Sequence, residues 1–417
     1  MKARRNFPLL LASQYLGAFG DNAILAVILG QLTFQQQAGR ITEGQLSAAN
    51  AIYTSLLFVP YVLLAPLAGY LNDRHAKTRW LAGGNVIKLA GTALAMLSVW
   101  QGSFWQGVGY LVVGVGGCFY SPAKYGILPE VVARERLVKA NGAVEFLTIV
   151  AILTGYLGGA AMIDHLSVPV CYAILVGIYG ASLGLNLLMT ATPAHPEVRL
   201  KRSVDEFFAN FGDLLANPRL FRVLCGCGLF WLCGAGMKIN FQPWGLQVLR
   251  LENNTQIALL GLWLSLGIMG GSILAGQLHR VGDLRGLRRY GWAMAGLVAL
   301  LGLVESLMGV GLLGTRGPVI AILILTGTLA GLFLIPLNAA LQNECDPGRL
   351  GKTVAAQNVG DNLAMVAAGS LILVAAKANV NPSDVFLYLA AIVALVVTIL
   401  KVPARAQPIG EGVKPEI

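Results

Sequence analysis

A lysine embedded in apolar sequence calls for an anion, and this 417-residue chain carries one at Lys124. It stands in Tyr120-Ser-Pro-Ala-Lys124-Tyr-Gly-Ile-Leu-Pro-Glu130, closing an apolar run that begins near Gly107. Inside hydrocarbon such a side chain costs about 2.5–3.5 kcal/mol, so it is expected to face a cavity, an acid or an anionic ligand rather than lipid. Asp21, Glu145, Lys238 and Asp361 interrupt other apolar runs in the same way, joined by the amides Asn22 and Gln357. Lysines supply donors for an anion, and carboxylates can orient those lysines or meet a cationic group. Asp21, Asn22, Lys124, Glu145, Lys238, Gln357 and Asp361 are therefore the candidate substrate-binding set. Asn85 and Lys88 add polarity on a neighbouring run, with Lys88 expected close enough to the inner surface to snorkel. A structural Asp–Lys pair between helices is the competing explanation for Asp21.

The elements that must position these groups follow from composition. Hydrophobic residues make up 56% of the chain and charged residues only 12%, against roughly 25% charged in an average soluble protein. The pattern is that of an all-α membrane protein. Apolar stretches of about 20 residues predict spans near 7–33, 47–71, 79–101, 105–128, 140–163, 168–191, 219–244, 256–279, 287–309, 317–343, 352–376 and 383–402. Gln14, Asp21 and Asn22 interrupt the first apolar run, which argues for an uncleaved helix rather than a signal peptide.

The formal charge of +10 raises the possibility of nucleic acid, and the placement of the basic residues argues against it. Lys2, Arg4 and Arg5, then Arg74, Lys77 and Arg79, then Arg134, Arg136 and Lys139, then Arg199, Lys201 and Arg202 alternate with loops that hold only Arg40, Arg250, Arg316 or Lys377. By the positive-inside rule both termini are expected in the cytoplasm. The cysteines lie mostly within spans and show no Cys-x-x-Cys spacing, so no metal or cofactor is expected.

The longest polar interruption, Thr192 to Arg219, divides the chain into an N-terminal six-helix bundle (1–191), a linker (192–218) and a C-terminal six-helix bundle with a short tail (219–417). Within the linker, Ser203-Val-Asp-Glu206 has the form of a capping box, and Val204, Phe207, Phe208, Phe211 and Leu215 recur at helical spacing. A short amphipathic helix on the inner membrane surface is expected there. The halves also resemble each other. Phe119-Tyr-Ser-Pro-Ala-Lys124 and Glu130 align at one offset with Phe333-Leu-Ile-Pro-Leu-Asn338 and Glu344. Two parallel six-helix repeats resemble the twelve-helix major facilitator fold, whose substrate site lies between the halves. Gly69, Asp73, Arg74, Lys77 and Arg79 resemble that superfamily's loop motif and are candidates for a conformational latch, the glycine allowing close helix approach and the charges tying helix ends. Gly276 to Asp283 is a weaker echo in the second half.

Taken together, Phe19-Gly-Asp21-Asn22-Ala23, the Tyr120–Glu130 block, Val138-Lys-Ala-Asn-Gly, Ile335-Pro-Leu-Asn-Ala-Ala-Leu-Gln and Ala356-Gln-Asn-Val-Gly-Asp-Asn resemble the bacterial lysophospholipid transporter family of that superfamily. The resemblance implies an inner-membrane flippase returning lysophosphatidylethanolamine, lysophosphatidylglycerol and related lysolipids to the inner leaflet, and a partner acyltransferase/acyl-carrier-protein synthetase as a separate chain. It also implies departures: Lys238 stands where the family can have arginine, losing bidentate phosphate recognition, and Asp361 stands where some relatives carry glutamate. On this reading Lys124 and Lys238 contact the phosphate, Asp21 and Glu145 organise the lysines or meet an ethanolamine ammonium, and Asp361 takes part in gating. The alternatives are a major facilitator drug or sugar exporter, which gives no reason for the Ser-Pro-Ala-Lys-Tyr-Gly block, and a membrane-embedded acyltransferase or hydrolase. Against the latter, the four histidines fall at loops or helix ends and no Gly-x-Ser-x-Gly arrangement occurs.

Overall fold

Lipid offers the backbone no hydrogen-bond partner, so apolar runs of this length satisfy their own amides as helices. A computed structural model of the chain describes residues 5–133, 137–279, 284, 286–308, 316–344 and 350–402; the side chains at 137–139, 141, 142, 145 and 350–352 lie outside that description. Among the described residues every regular element is a helix. The first half comprises α1 (Asn6–Gln37), α2 (Glu43–Leu56), α3 (Val59–Leu63), α4 (Ala65–Arg74), α5 (Lys77–Met96), α6 (Ser98–Gln101), α7 (Ser103–Gly126), α8 (Leu128–Val131), α9 (Leu137–His165) and α10 (Val168–Leu187). The linker forms α11 (Leu200–Ala216). The second half comprises α12 (Pro218–Gln247), α13 (Asn254–Leu278), α14 (Leu287–Gly302), α15 (Val304–Met308), α16 (Arg316–Glu344), α17 (Leu350–Lys377) and α18 (Pro382–Ile399).

Local sequence explains the breaks. Thr42 and Gln45 close a reciprocal capping box at the start of α2, while Pro60 and Pro66, each in the first turn of its helix, divide the expected second span into α2, α3 and α4. Gly102, at φ 94°, makes the left-handed turn between α6 and α7. Pro122 and Pro336 sit inside α7 and α16 at corresponding places in the two halves.

Ten stretches among the described residues are long and apolar enough to cross a membrane, two short of the twelve expected from sequence. The expected spans 105–128 and 287–309 account for the difference. Glycines dilute the apolarity of α7, and α14 ends at Gly302 after 16 residues. The glycines of α7 have a packing reason: a Cβ on Gly109 or Gly116 would collide with the backbone of α5 at Gly91 and Ala95 or at Gly84 and Lys88. Both helices are nonetheless integral to the bundle, α7 lying along α5 and α14 between α16 and α18.

In the first half α1 packs on α9 and α10, and α5 on α7 and α10; in the second, α12 packs on α16, α17 and α18, and α13 on α16. Contact between the halves runs through α2 against α12 and α17, α3 against α17, and α9 against α13. The linker helix α11 touches α4 on one side and α12 and α17 on the other. Its expected capping box does not form: α11 starts at Leu200 after Arg199, which makes no side-chain cap, so Ser203 and Glu206 lie inside the helix. Glu206 instead pairs with Arg202 one turn back at 2.9 Å. Phe211 and Leu214 turn toward the second-half core, whereas Phe208 and Leu215 are exposed.

Candidate functional site

Gln14, Gly17 and Asp21 share one face of α1 by helical periodicity. That face meets α5 and α10. Asp21 Oδ2 lies 2.6 Å from Lys88 Nζ, and Oδ1 accepts a hydrogen bond of 2.8 Å from the Tyr179 hydroxyl. Lys88 is only 2% exposed, so it does not snorkel as expected; its ammonium is buried beside Asp21 and over the rings of Tyr120 and Tyr179, at 5.1 and 6.0 Å. A Cβ on Gly17 would stand 3.7 Å from Lys88 Nζ, an ordinary van der Waals contact with this arrangement. Below it runs a polar seam. Asn85 donates to Ser182 and Asn186, and Asn186 donates to Ser13, which also meets the Tyr120 hydroxyl.

Lys124 sits elsewhere. Its ammonium lies 3.5 Å from Thr148 Oγ1 and 4.5 Å from the centre of the Tyr125 ring, and Thr148 donates 3.0 Å to Gln14 Oε1. Gln14 and Asp21 are two turns apart on α1, about 10 Å at 1.5 Å per residue. Lys124 therefore belongs to the level of Gln14, nearer the α11 end of the bundle, and the expectation that Asp21 organises Lys124 is corrected: the carboxylate is engaged by Lys88 and Tyr179. The side chain of Glu145 lies outside the described residues.

The second half reaches the deeper level. Lys238, on α12, extends across the seam to α1 and α9, with Nζ 3.5 Å from Asn22 Oδ1 and 5.0 Å from the centre of the Tyr156 ring. Among the described residues no carboxylate pairs with it. On α17, Gln357 donates to Asn338 Oδ1 at 2.8 Å and to Asp361 Oδ2 at 3.3 Å, and Asp361 is 6% exposed. Asn338 is the repeat counterpart of Lys124, so an amide occupies in the second half the place of a cation in the first. The candidate set thus separates into Asp21 with Lys88, Lys124 with Thr148 and Gln14, Asn22 with Lys238, and Gln357 with Asp361 and Asn338. Lys88 and Tyr156 are the members not singled out from sequence as binding residues. The helical spacing of Asn85 and Lys88 was the available signal for the first; nothing in the sequence marks Tyr156.

The loop residues form a separate cluster at the α11 end. Lys77 pairs with Glu130 at 2.5 Å, Arg74 donates to the Tyr70 hydroxyl at 2.5 Å, and the Arg74 carbonyl accepts 3.0 Å from the His195 amide. Thr192 accepts from the Lys77 amide, which ties the linker to this loop. Asp73 and Lys77 line a polar cleft with His195, Arg199 and Arg202, while Arg79 is exposed. Gly69 does not serve close helix approach here, since a Cβ on it would meet nothing within 4 Å. In the second half Glu344 takes a two-pronged grip from Arg219 at 2.6 and 2.8 Å. Of the echo Gly276–Asp283, Gly276 faces open space and 280–283 lie outside the described residues.

At the end of the bundle opposite α11 the halves are stitched together. Asp164, near the end of α9, caps α13 across the seam: Oδ1 accepts from the Asn254 amide and side chain at 3.2 and 2.8 Å, and Oδ2 from the Thr255 amide and hydroxyl at 2.9 and 2.6 Å. A carboxylate at a helix N-terminus satisfies orphan amides and complements the helix dipole. Gln242 donates to Leu29 and Thr33, each at 2.7 Å, and Asn50 donates to the Ile239 carbonyl at 2.8 Å. This end is closed.

Comparison with known proteins follows the same outline. The model of the Major Facilitator Superfamily matches residues 11–369. Lysophospholipid transporter LplT of Salmonella heidelberg (strain SL476) is 33% identical over 361 residues, covering 86% of this chain and 84% of that protein, and the LplT of Salmonella agona (strain SL483) is equally similar. Among solved structures, a POT family transporter in complex with 5-aminolevulinic acid superposes with a TM-score of 0.73 at 13% identity, covering 95% of this chain and 96% of that one. The human organic anion transporter MFSD10 (TETRAN) gives 0.67 at 14%, covering 96% and 100%. At such identities the structural likeness speaks for the fold alone.

Proposed function

The chain belongs to the major facilitator superfamily, and we propose that it is a lysophospholipid transporter that moves its substrate across a bacterial inner membrane to the inner leaflet. It is a carrier rather than an enzyme. A lysophospholipid joins one acyl chain to a phosphate headgroup and needs buried donors for the phosphate beside apolar surface for the tail. The observation that carries the reading is Lys238, an ammonium held at the seam between the halves with an amide oxygen and a ring as its contacts. An ammonium so placed favours an anionic ligand. The 33% identity to proteins named lysophospholipid transporter LplT supports the choice of ligand.

The depth of the lysines shapes the mechanism. Lys124 lies at the level of Gln14 and Lys238 at that of Asn22, eight residues and about 12 Å along α1. One phosphate does not bridge that gap, so the two lysines act in succession. With the end opposite α11 closed, the phosphate passes between the Lys238 level and the Lys124 level toward the α11 end. The segments 1–191 and 219–417 act as the two rocking bodies, joined by 192–218. The charges at Asp73, Arg74, Lys77 and Arg79 latch the α11 end when it closes. Asp21 holds Lys88 in place, and Asp361 with Gln357 presents the second-half wall of the path. Both termini and α11 face the cytoplasm, as the basic loops favour, and an acyltransferase/acyl-carrier-protein synthetase consumes the delivered lysolipid.

Uptake of labelled lysophosphatidylethanolamine by cells expressing the protein tests this directly. Lys124→Ala and Lys238→Ala are each expected to lower uptake about tenfold at unchanged membrane insertion, and unlabelled lysolipid is expected to compete. Normal uptake by both variants, or competition by a soluble drug or sugar instead, would sink the reading.

A further inference from the structure

Resting on the lysophospholipid reading, we propose that Tyr156 is a specificity-determining residue whose ring, covered by Lys238 in this structure, seats the substrate's own ammonium once the phosphate draws Lys238 away. Lys88, Lys124 and Lys238 each lie over a tyrosine: Lys88 over Tyr120 and Tyr179, Lys124 over Tyr125, Lys238 over Tyr156. They differ in what else holds them. Lys88 is paired with Asp21 at 2.6 Å, and Lys124 donates to Thr148. For Lys238, among the described residues, the ring is joined by an Asn22 oxygen at 3.5 Å and by no acidic partner. An arriving phosphate is a stronger partner than either, so Lys238 moves to it and the ring face is uncovered.

That face is then a seat for a cation. The negative face of an aromatic ring attracts an ammonium, most strongly where water is excluded, and Tyr156 is half-buried where α9 meets α1 and α13. The Nζ now 5.0 Å from the ring centre occupies the place a headgroup ammonium would take. A headgroup whose ammonium follows the phosphate by a two-carbon link can keep its phosphate on Lys238 and reach the ring. A glycerol headgroup has hydroxyls in place of that cation and gains nothing from the ring. Tyr156 thus favours zwitterionic over anionic lysolipids.

Purified full-length protein in proteoliposomes, assayed with lysophosphatidylethanolamine and lysophosphatidylglycerol in parallel, gives the ratio of the two transfer rates. Tyr156→Leu is expected to lower that ratio about three- to fivefold, the size of a partly desolvated cation–π contact, and Tyr156→Phe to keep it within about twofold. Phenylalanines carrying one, two and three ring fluorines at position 156 conserve shape while weakening the ring's negative face, so the ratio is expected to fall with each fluorine. A ratio that stays flat across the fluorinated series, or an equal fall for Phe and Leu, overturns the assignment. Failure of the underlying reading has a different signature, in which the wild-type protein moves neither lysolipid.

Discussion

Lys88 illustrates how a buried charge is tolerated in this bundle. Its ammonium is neutralised by Asp21 and flanked by two tyrosine rings, which makes removal of one partner costlier than removal of both. Asp21→Asn or Lys88→Met alone is expected to destabilise the protein by about 3 kcal/mol, read as a lower melting temperature in detergent, and the double variant to recover most of the loss. Single variants as stable as the wild type would contradict the pairing. The candidate charges themselves were legible in the sequence, because an ionisable side chain stands out against apolar neighbours. Their partners were not. Whether Asp21 meets Lys88 or Lys124 depends on helix rotation and depth, and only the two-turn separation of Gln14 and Asp21 on α1 decides it.

Helix ends and helix faces carry the next level of organisation. The glycines of α13 show how a packing partner, not spacing alone, decides which face needs them. A Cβ on Gly267 or Gly271 would strike the α16 backbone at Ile324 or Thr328, whereas Gly270 and Gly276 face open space. On α9, Gly155 and Gly159 lie against the α1 backbone at Phe19 and Ala23. Glycine abundance was visible in the sequence, and which glycines matter was set by the packing partner. The linker helix teaches the same lesson: a Ser-x-x-Glu pattern matched a capping box, but the helix begins earlier at Leu200 and places both residues in its interior. The Asp164 cap, by contrast, joins residues about ninety positions apart and has no local signature. Asp164→Ala would leave the first amides of α13 without their acceptor, a loss of about 1–3 kcal/mol. The expected result is a growth of about fivefold in the population open at the end opposite α11, measured as longer distances between spin labels at positions 40 and 377 in a protein freed of its native cysteines. Asp164→Asn, which keeps an acceptor oxygen, should shift it less. An unchanged distance distribution for the Ala variant would show that the cap does not hold this end closed.

For the whole molecule, the internal repeat was readable from the alignment of Pro122 with Pro336 and of Glu130 with Glu344, and both prolines fall at matching places inside α7 and α16. The span count was less readable, because the glycine-rich α7 and the short α14 depart from the length and apolarity that mark the other spans. The conformer, closed where Asp164, Gln242 and Asn50 bridge the halves, could not be inferred from composition at all, since it depends on how two similar bundles lean on each other. In that conformer the lysines stand at successive depths rather than in one pocket, with Lys238 deep at the seam and Lys124 nearer the α11 end. The most direct test is leaflet-resolved transfer of lysophosphatidylethanolamine by purified protein in proteoliposomes. Transfer well above that of protein-free vesicles, reduced about tenfold by Lys238→Ala with the protein still folded, is the expected result. Transfer no faster than in empty vesicles, or a Lys238→Ala protein as fast as the wild type, would contradict a lysine-guided passage of the headgroup between the halves.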